Sequence, residues 1–479
     1  MPPMKTFQLI GRSLAAALLA AGVVQARAQP QPAPPLPREL PAFGADPALP
    51  LPKITRHTLP NGLQVWVVPS QGLPRVDVVL AVRGAGSAAD GPQQGGFTAL
   101  LAGLLTEGTT QRDAQTLAQD IQALGGSLSA TPSPDSITLG AQALPSKAGA
   151  LMQLLAEVAR LPAFDEAEVK LAKANAQQSL KASSATPGFR ADGALGKAIY
   201  GGHPYGNTQP TEAAIEATTA AALRAAHAQR FRPDRALLVI AGRIHATQAL
   251  AMADAAFASW QAQGAALPET PPAPRKAAPA RVFLARPGSV QTTLRLGRPG
   301  IAAADADAVP LRVTSAVLGD GFSSRINLNL REEKGYTYGA AIGSRTSRAG
   351  GAISGGADVR NEVTGASLKE FEAEFARIGS QPVPRQELLE TQRYLVGSYL
   401  VRQQSQEALA ATLARNWVVG LPTSALGDYV QQVQRVTAVQ VQGMAQKYYA
   451  PGSLSIVVVG DPAVAEQLKP HGDFQGLTK

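Results

Sequence analysis

The sequence contains no cysteine and only five histidines, and beyond its first 28 residues it has no apolar run of the ~18 residues that a membrane span requires. The first absence excludes disulfides and thiolate metal ligands, so stability must come from ordinary cores. Among His57, His203, His227, His245 and His471 no two lie three or four residues apart, so no helical turn presents a histidine pair to zinc. His203, in "YGGHPYG", reads as a loop-structural residue rather than a ligand. A Gly-x-Ser-x-Gly elbow and a Gly-rich loop ending in Lys-Ser or Lys-Thr are also missing. "GAGSAA", from Gly84, imitates a dinucleotide fingerprint but reads as a turn, because no helix opens directly behind it and no acidic residue stands where a ribose needs one.

What is present is 479 residues of 45% apolar composition, enough for two or three globular units. Lys5 and Arg12 lead into "SLAAALLAAGVV" and then "ARA", the layout of a signal peptide cleaved after Ala28. Export to the periplasm as a soluble protein is therefore expected, and with no Cys after the apolar run a lipid anchor is not. Removing Lys5, Arg12 and Arg27 with the leader lowers the formal charge from +9 to +6. That excess is diffuse, and no basic run or interleaving of basic and aromatic residues points to nucleic acid.

Residues 29–52 form a Pro-rich arm expected to be extended, and "QGAALPETPPAPRKAAPA" (263–280) reads as an interdomain linker. The two blocks it separates, 53–262 and 281–463 with a tail at 464–479, end alike. "RFRPDRALLVIAGR" and "YYAPGSLSIVVVGD" match at a constant offset of 218: Phe231 and Tyr449 stand two residues before Pro233 and Pro451, and an apolar strand closes on Gly242 and Gly460. A duplicated domain is the simplest explanation. "GLQVWVV" and "RVDVVLAVR" read as strands, and 97–106, 112–124, 146–160 and 165–183 as helices, with a long helical run at 404–449 in the second block. The fold class is thus α+β: two homologous domains, each a mostly antiparallel sheet with helices packed on one face.

"LPNGLQVWVV", "GSAADGPQQGGF", "LLTEGTT", "YGGHPYG", "RFRPDRALLVIAG" and "INLNLREEKGYTYGAAIGS" occur in an order that resembles the insulinase (pitrilysin) family of zinc metallopeptidases, in its two-domain, processing-peptidase-like branch. The resemblance spans residues 53 to 463. Catalytic members of that family carry His-x-x-Glu-His on the helix after the "GS" turn, with a further Glu on a later helix. Anchored on Gly108 and Thr109, those five positions here are Ala99, Leu100, Leu101, Ala102 and Gly103, and the later acidic position falls on Gln178 and Ser179. All the ligating side chains are missing. Phe97, Leu100, Leu101, Leu104 and Leu105 then read as a core stripe, with Ala99, Ala102 and Gly103 filling the emptied pocket.

In "LREEKGYTYG" Arg331 lies near a helix end, Gly335 supplies the stop, and Tyr336 and Tyr338 are expected to start a strand on one face. Taken alone, these would be a solvated charge and ordinary sheet packing. The resemblance implies another use, because catalytic relatives carry an Arg and, seven residues on, a Tyr that face the zinc; Arg331 and Tyr338 have that spacing. Tyr336 is an accessory candidate whose expected role is packing beside Tyr338. The resemblance thus implies a non-catalytic subunit of a heteromeric metallopeptidase, with no cofactor of its own. Zinc is expected in an exported His-x-x-Glu-His homologue as partner, and a peptide or unfolded polypeptide as substrate. A peptide-binding or structural scaffold of the same fold is the alternative.

Overall fold

The computed structural model describes residues 52–477. The leader, its cleavage point after Ala28 and residues 29–51 of the Pro-rich arm lie outside them. The first half forms a six-stranded sheet from β1 (Thr55–Thr58), β2 (Gln64–Pro69), β3 (Val76–Arg83), β4 (Ser127–Pro132), β5 (Ser136–Ala143) and β6 (Ala236–Gly242), in the order β1-β2-β6-β3-β5-β4. Every neighbouring pair is antiparallel except β2 with β6. The second half repeats the plan with one strand fewer: β7 (Arg281–Ala285), β8 (Gln291–Pro299), β9 (Thr337–Thr346), β10 (Gly351–Arg360) and β11 (Ser455–Gly460), ordered β7-β11-β8-β10-β9, with only β7 and β11 parallel. Residues 263–280 between them form neither helix nor strand.

The helices used below are α1 (Phe97–Leu104), α2 (Ala148–Arg160), α3 (Glu166–Ser184), α4 (Pro187–Tyr200), α5 (Ala220–Arg230), α6 (Ala308–Leu318), α7 (Thr364–Ser380), α8 (Arg385–Gln403), α9 (Gln406–Val418) and α10 (Ala438–Tyr448). Both ends of α10 lie 218 residues beyond those of α5, and α8 and α9 begin 219 residues beyond α3 and α4. The duplication read from the strand ends therefore extends through the helices. Each copy starts its helix in the same way: Thr219 accepts from the Ala222 N–H, and Thr437 accepts from the Gln440 N–H while the Gln440 side chain returns to the Thr437 N–H. Each such cap contributes about 1 kcal/mol. The expected single helical run over 404–449 is instead three helices, α9, Ala425–Gln434 and α10. Gly420, at φ 84°, and Pro422 break it first, and the Thr437 cap starts it afresh.

The period of two along the central strands explains how the halves join. On β3, Val76, Val78, Leu80 and Val82 enter the core that the first half builds with its own helices, α1 and α2 among them. Val79 and Ala81 point the other way. They meet Ala410, Leu413, Ala414 and Val418 of α9, which belongs to the second half. Reciprocally, Ile456 and Val458 of β11 enter the second-half core, while Val457 and Val459 meet Ala191, Leu195 and Ile199 of the first-half helix α4. Strands apolar at every position need cover on both faces. Each half covers one face itself and receives the same helix of the other half on the second, and a Leu fully buried in this way contributes about 1.5–3 kcal/mol.

Polar contacts finish the junction. Arg295 Nε of β8 meets Asp192 Oδ1 of α4 at 3.0 Å. The Tyr205 hydroxyl donates to Asp135 and accepts from the Ala349 N–H at 3.0 Å, and the Arg348 N–H donates to the other Asp135 oxygen at 2.9 Å. Burial, reinforced by the bond to Asp135, holds the Tyr205 phenol far above its ordinary range, so it stays a donor at any physiological pH.

Candidate functional site

The stretch that would carry a zinc motif is held by a rigid frame. Asp90, in the "GSAADG" turn, accepts from the Thr98 N–H at 3.0 Å and the Thr98 hydroxyl at 2.6 Å, and from Arg230 Nη1 at 2.8 Å. Both members of that ion pair are buried, and the Arg230 guanidinium lies 5.5 Å from the Phe97 ring centre. Gly96 precedes α1 at φ 91°, where an added Cβ would stand 2.7 Å from Pro210 Cβ. A glycine is required there on both counts. Phe97, Leu100, Leu101, Leu104 and Leu105 are all buried, as the helical spacing indicated.

The replacements themselves behave differently from the expectation that they fill a pocket. Ala102 is buried, but Ala99 and Gly103 lie on the exposed face of α1, and a Cβ added to Gly103 meets nothing within 4 Å. The space beside these two positions stands open to solvent. α1 packs against α3 and the edge strand β4, and on α3 Gln178 and Ser179 are exposed as well. Alanine and glycine side chains carry no donor atom, and a neutral amide and hydroxyl do not replace a carboxylate, so these positions do not fit zinc. Among the described residues no three His, Asp or Glu side chains converge as a metal site.

The histidines are accounted for locally. His203 caps a short turn, its Nδ1 accepting from the Tyr205 N–H at 3.2 Å, which leaves Nε2 to donate to the Pro271 carbonyl at 2.8 Å. It is a loop-structural residue. His227 donates from Nε2 to the Ala159 carbonyl at 3.0 Å and stacks on Phe231, and burial lowers its pKa to about 4.

In the second half the backbone departs from regular geometry at both residues of the Arg/Tyr spacing. A short helix, Arg325–Asn327, runs into a π-helix, Leu328–Glu333, that carries Arg331. Gly335, at φ 62°, ends it, with the Tyr336 N–H returning to the Leu330 carbonyl at 2.8 Å. The Arg331 guanidinium lies 4.5 Å from the Phe322 ring centre, and its Nε is 3.3 Å from Glu332. Asn327 fixes this arrangement from two sides, donating to the Phe322 carbonyl at 2.6 Å and accepting from the Ala340 N–H at 3.2 Å.

Tyr338 sits at a β-bulge. Ala357 of β10 pairs with Ala340 of β9, but Val359 pairs with Thr337, so β9 carries one extra residue between the two pairs. The Thr337 hydroxyl closes the bulge, accepting from the Gly339 N–H at 3.2 Å and lying 2.7 Å from the Asp358 carbonyl. The expectation that Tyr336 and Tyr338 share a face at the start of a strand is therefore corrected. The strand starts at Thr337, Tyr336 packs half-buried against the second-half core, and Tyr338 is 91% exposed. Bulges and π-turns re-aim side chains and recur beside functional sites. Neither Phe322 as the partner of Arg331 nor Asn327 as the residue that holds the Phe322 loop was visible in the sequence; the only signal was an apolar residue placed in the polar loop "GDGFSS".

Comparison with known proteins gives two family matches in order along the chain: the insulinase (peptidase family M16) model over residues 67–210 and the peptidase M16 inactive domain over residues 217–395. An uncharacterised zinc protease, YmxG, of Bacillus subtilis is 23% identical over 400 residues, covering 83% of this chain and 96% of that protein. The non-peptidase homologue YmxG of Helicobacter pylori is 23% identical over 394 residues, covering 81% and 90%. Among solved structures, a peptidase M16 inactive domain from Pseudomonas fluorescens superposes with a TM-score of 0.79 at 26% identity, covering 85% of this chain and 98% of that one.

Proposed function

The chain belongs to the insulinase (M16) family, and on that premise we propose that it is the non-catalytic subunit of a heteromeric zinc metallopeptidase of the periplasm. In this reading it forms half of a proteolytic chamber and presents Arg331 and Tyr338 to the zinc site of an exported His-x-x-Glu-His partner. One observation carries the reading: the five motif positions of the first half offer no ligand set, while a π-helix carries Arg331 half-buried against Phe322 and a β-bulge displays Tyr338.

Their chemistry suits the role. A guanidinium forks onto a substrate carbonyl or carboxylate, and a phenol donates to the oxyanion that develops at a scissile carbonyl. β4 and β9 are each one edge strand of their sheet, β4 beside α1 and β9 beside the Arg331 helix. An extended peptide can add to such edges through its backbone, which would align it with both regions.

The test is to combine the purified protein with an exported zinc-motif homologue from the same source. Peptide hydrolysis that appears only in the mixture, and collapses with Arg331→Ala or Tyr338→Phe, supports the proposal. Undiminished hydrolysis in both variants removes the site assignment and leaves a chamber scaffold.

A further inference from the structure

A second cluster of charge lies where the linker meets both halves. A cavity of about 190 Å³ is lined there by Arg83 at the end of β3, Arg235 just before β6, and Arg348 in the β9–β10 turn. Glu269 and Thr270 of the linker close one side. At roughly 30 Å³ of liquid per water molecule, the space is ample for one small ion and its hydration.

The charges around it do not balance. Glu269 reaches Arg348 Nε at 3.1 Å and Arg235 Nη2 at only 3.8 Å, and its side chain is half exposed. Asp135 also lines the cavity, but its oxygens already serve the Tyr205 hydroxyl and the Arg348 N–H. Arg83 has least support. Its guanidinium lies 4.8 Å from the Trp417 ring centre, and its Nε is buried with no hydrogen-bond partner. Burial lowers its pKa, and the charges of Arg348 and Arg235 act in the same direction against Glu269 alone. A buried donor left unpaired is destabilising, and three guanidinium groups against two carboxylates, Glu269 and Asp135, leave the site with net positive charge.

We propose that this cavity binds a small free oxyanion of the inorganic phosphate class, held by Arg83, Arg235 and Arg348. Guanidinium groups match tetrahedral oxyanions in geometry and charge, and the bound ion supplies an acceptor next to Arg83. Glu269 is the internal competitor, occupying two of the three arginines when the anion is absent. Because the cavity joins β3 of the first half, the linker and a turn of the second half, the anion fastens the linker across the junction. The inference does not rest on the proposed peptidase role.

The experiment titrates the full chain with inorganic phosphate against sodium chloride of equal ionic strength, by calorimetry and by thermal unfolding. One phosphate per chain is expected, with a Tm rise of about 2 °C at a ten-fold excess over Kd. Arg83→Gln and Arg235→Gln should each weaken binding about ten-fold or more, and Glu269→Gln should tighten it several-fold. If Arg83→Gln does not fold, Arg235→Gln, nearer the rim, decides. Absence of a phosphate response beyond chloride, or equal phosphate affinity in the wild type and Arg235→Gln, overturns the proposal.

Discussion

The first-half region around α1 and the second-half region around Arg331 come from one duplicated plan but have been specialised in opposite senses. Around α1 the frame is rigid and the exposed positions are empty: a buried Asp90–Arg230 pair and the positive-φ Gly96 hold a helix that displays Ala99 and Gly103. Around Arg331 the backbone is irregular and carries polar groups, a half-buried guanidinium over Phe322 and an exposed phenol raised on a bulge. The frame around α1 is complete with no ligating side chain at these positions, because that frame is part of the core.

This comparison can be broken by substitutions that move stability in one region and hydrolysis in the other. The largest effect is expected from Asp90→Ala, which leaves Arg230 buried without its counter-charge and should lower unfolding free energy by about 3–5 kcal/mol in urea titrations. If the loss is below 1 kcal/mol, the frame is not what holds α1. Next comes Tyr338→Phe, which should leave stability within about 0.5 kcal/mol and lower the turnover of the mixed peptidase by about 100- to 1000-fold, the effect of one missing oxyanion donor.

A pH effect of similar size belongs to the first half alone. His227 is neutral in the fold, with its pKa lowered to about 4 by burial, whereas the unfolded chain takes up that proton near pH 6.5. The unfolded state then binds more protons, so this stabilisation is complete above pH 6.5 and is lost as pH falls towards 4, by up to about 3 kcal/mol. The difference between wild type and His227→Gln in urea at pH 7 and pH 4.5 measures it, and identical pH profiles would remove the attribution. The smallest effect sharpens the contrast from the empty side. Gly103→Ala should raise stability by up to about 1 kcal/mol, since helix propensity improves and the new methyl meets open space. A destabilisation there would mean that the position is packed after all.

Much of this was legible in the residues. The apolar runs of β3, β6 and β11, the stripe on α1 and the offset of 218 are local or periodic properties, so they survive being read one segment at a time. The positions counted from Gly108 and Thr109 came instead from the family resemblance, which says where a zinc motif is expected, and the sequence shows which residues stand there. The exchange of α4 and α9 between the halves was not legible, since "VDVVLAVR" says that both faces are buried but not by which helix. Nor were the exposure of Ala99 and Gly103, the bulge that separates Tyr336 from Tyr338, or the stack of Arg331 on Phe322. Each depends on a partner that is not a neighbour in sequence.

By itself, then, the order of residues determined the two α+β domains and the hydrophobic pattern that makes their sheets, because composition and period act within a segment. The tertiary structure alone decided which helix covers which sheet, which replaced positions stay open to water, and which of two tyrosines is displayed. Those outcomes depend on packing and register between distant segments, where one extra residue in a strand is enough to turn a side chain from the core to the solvent.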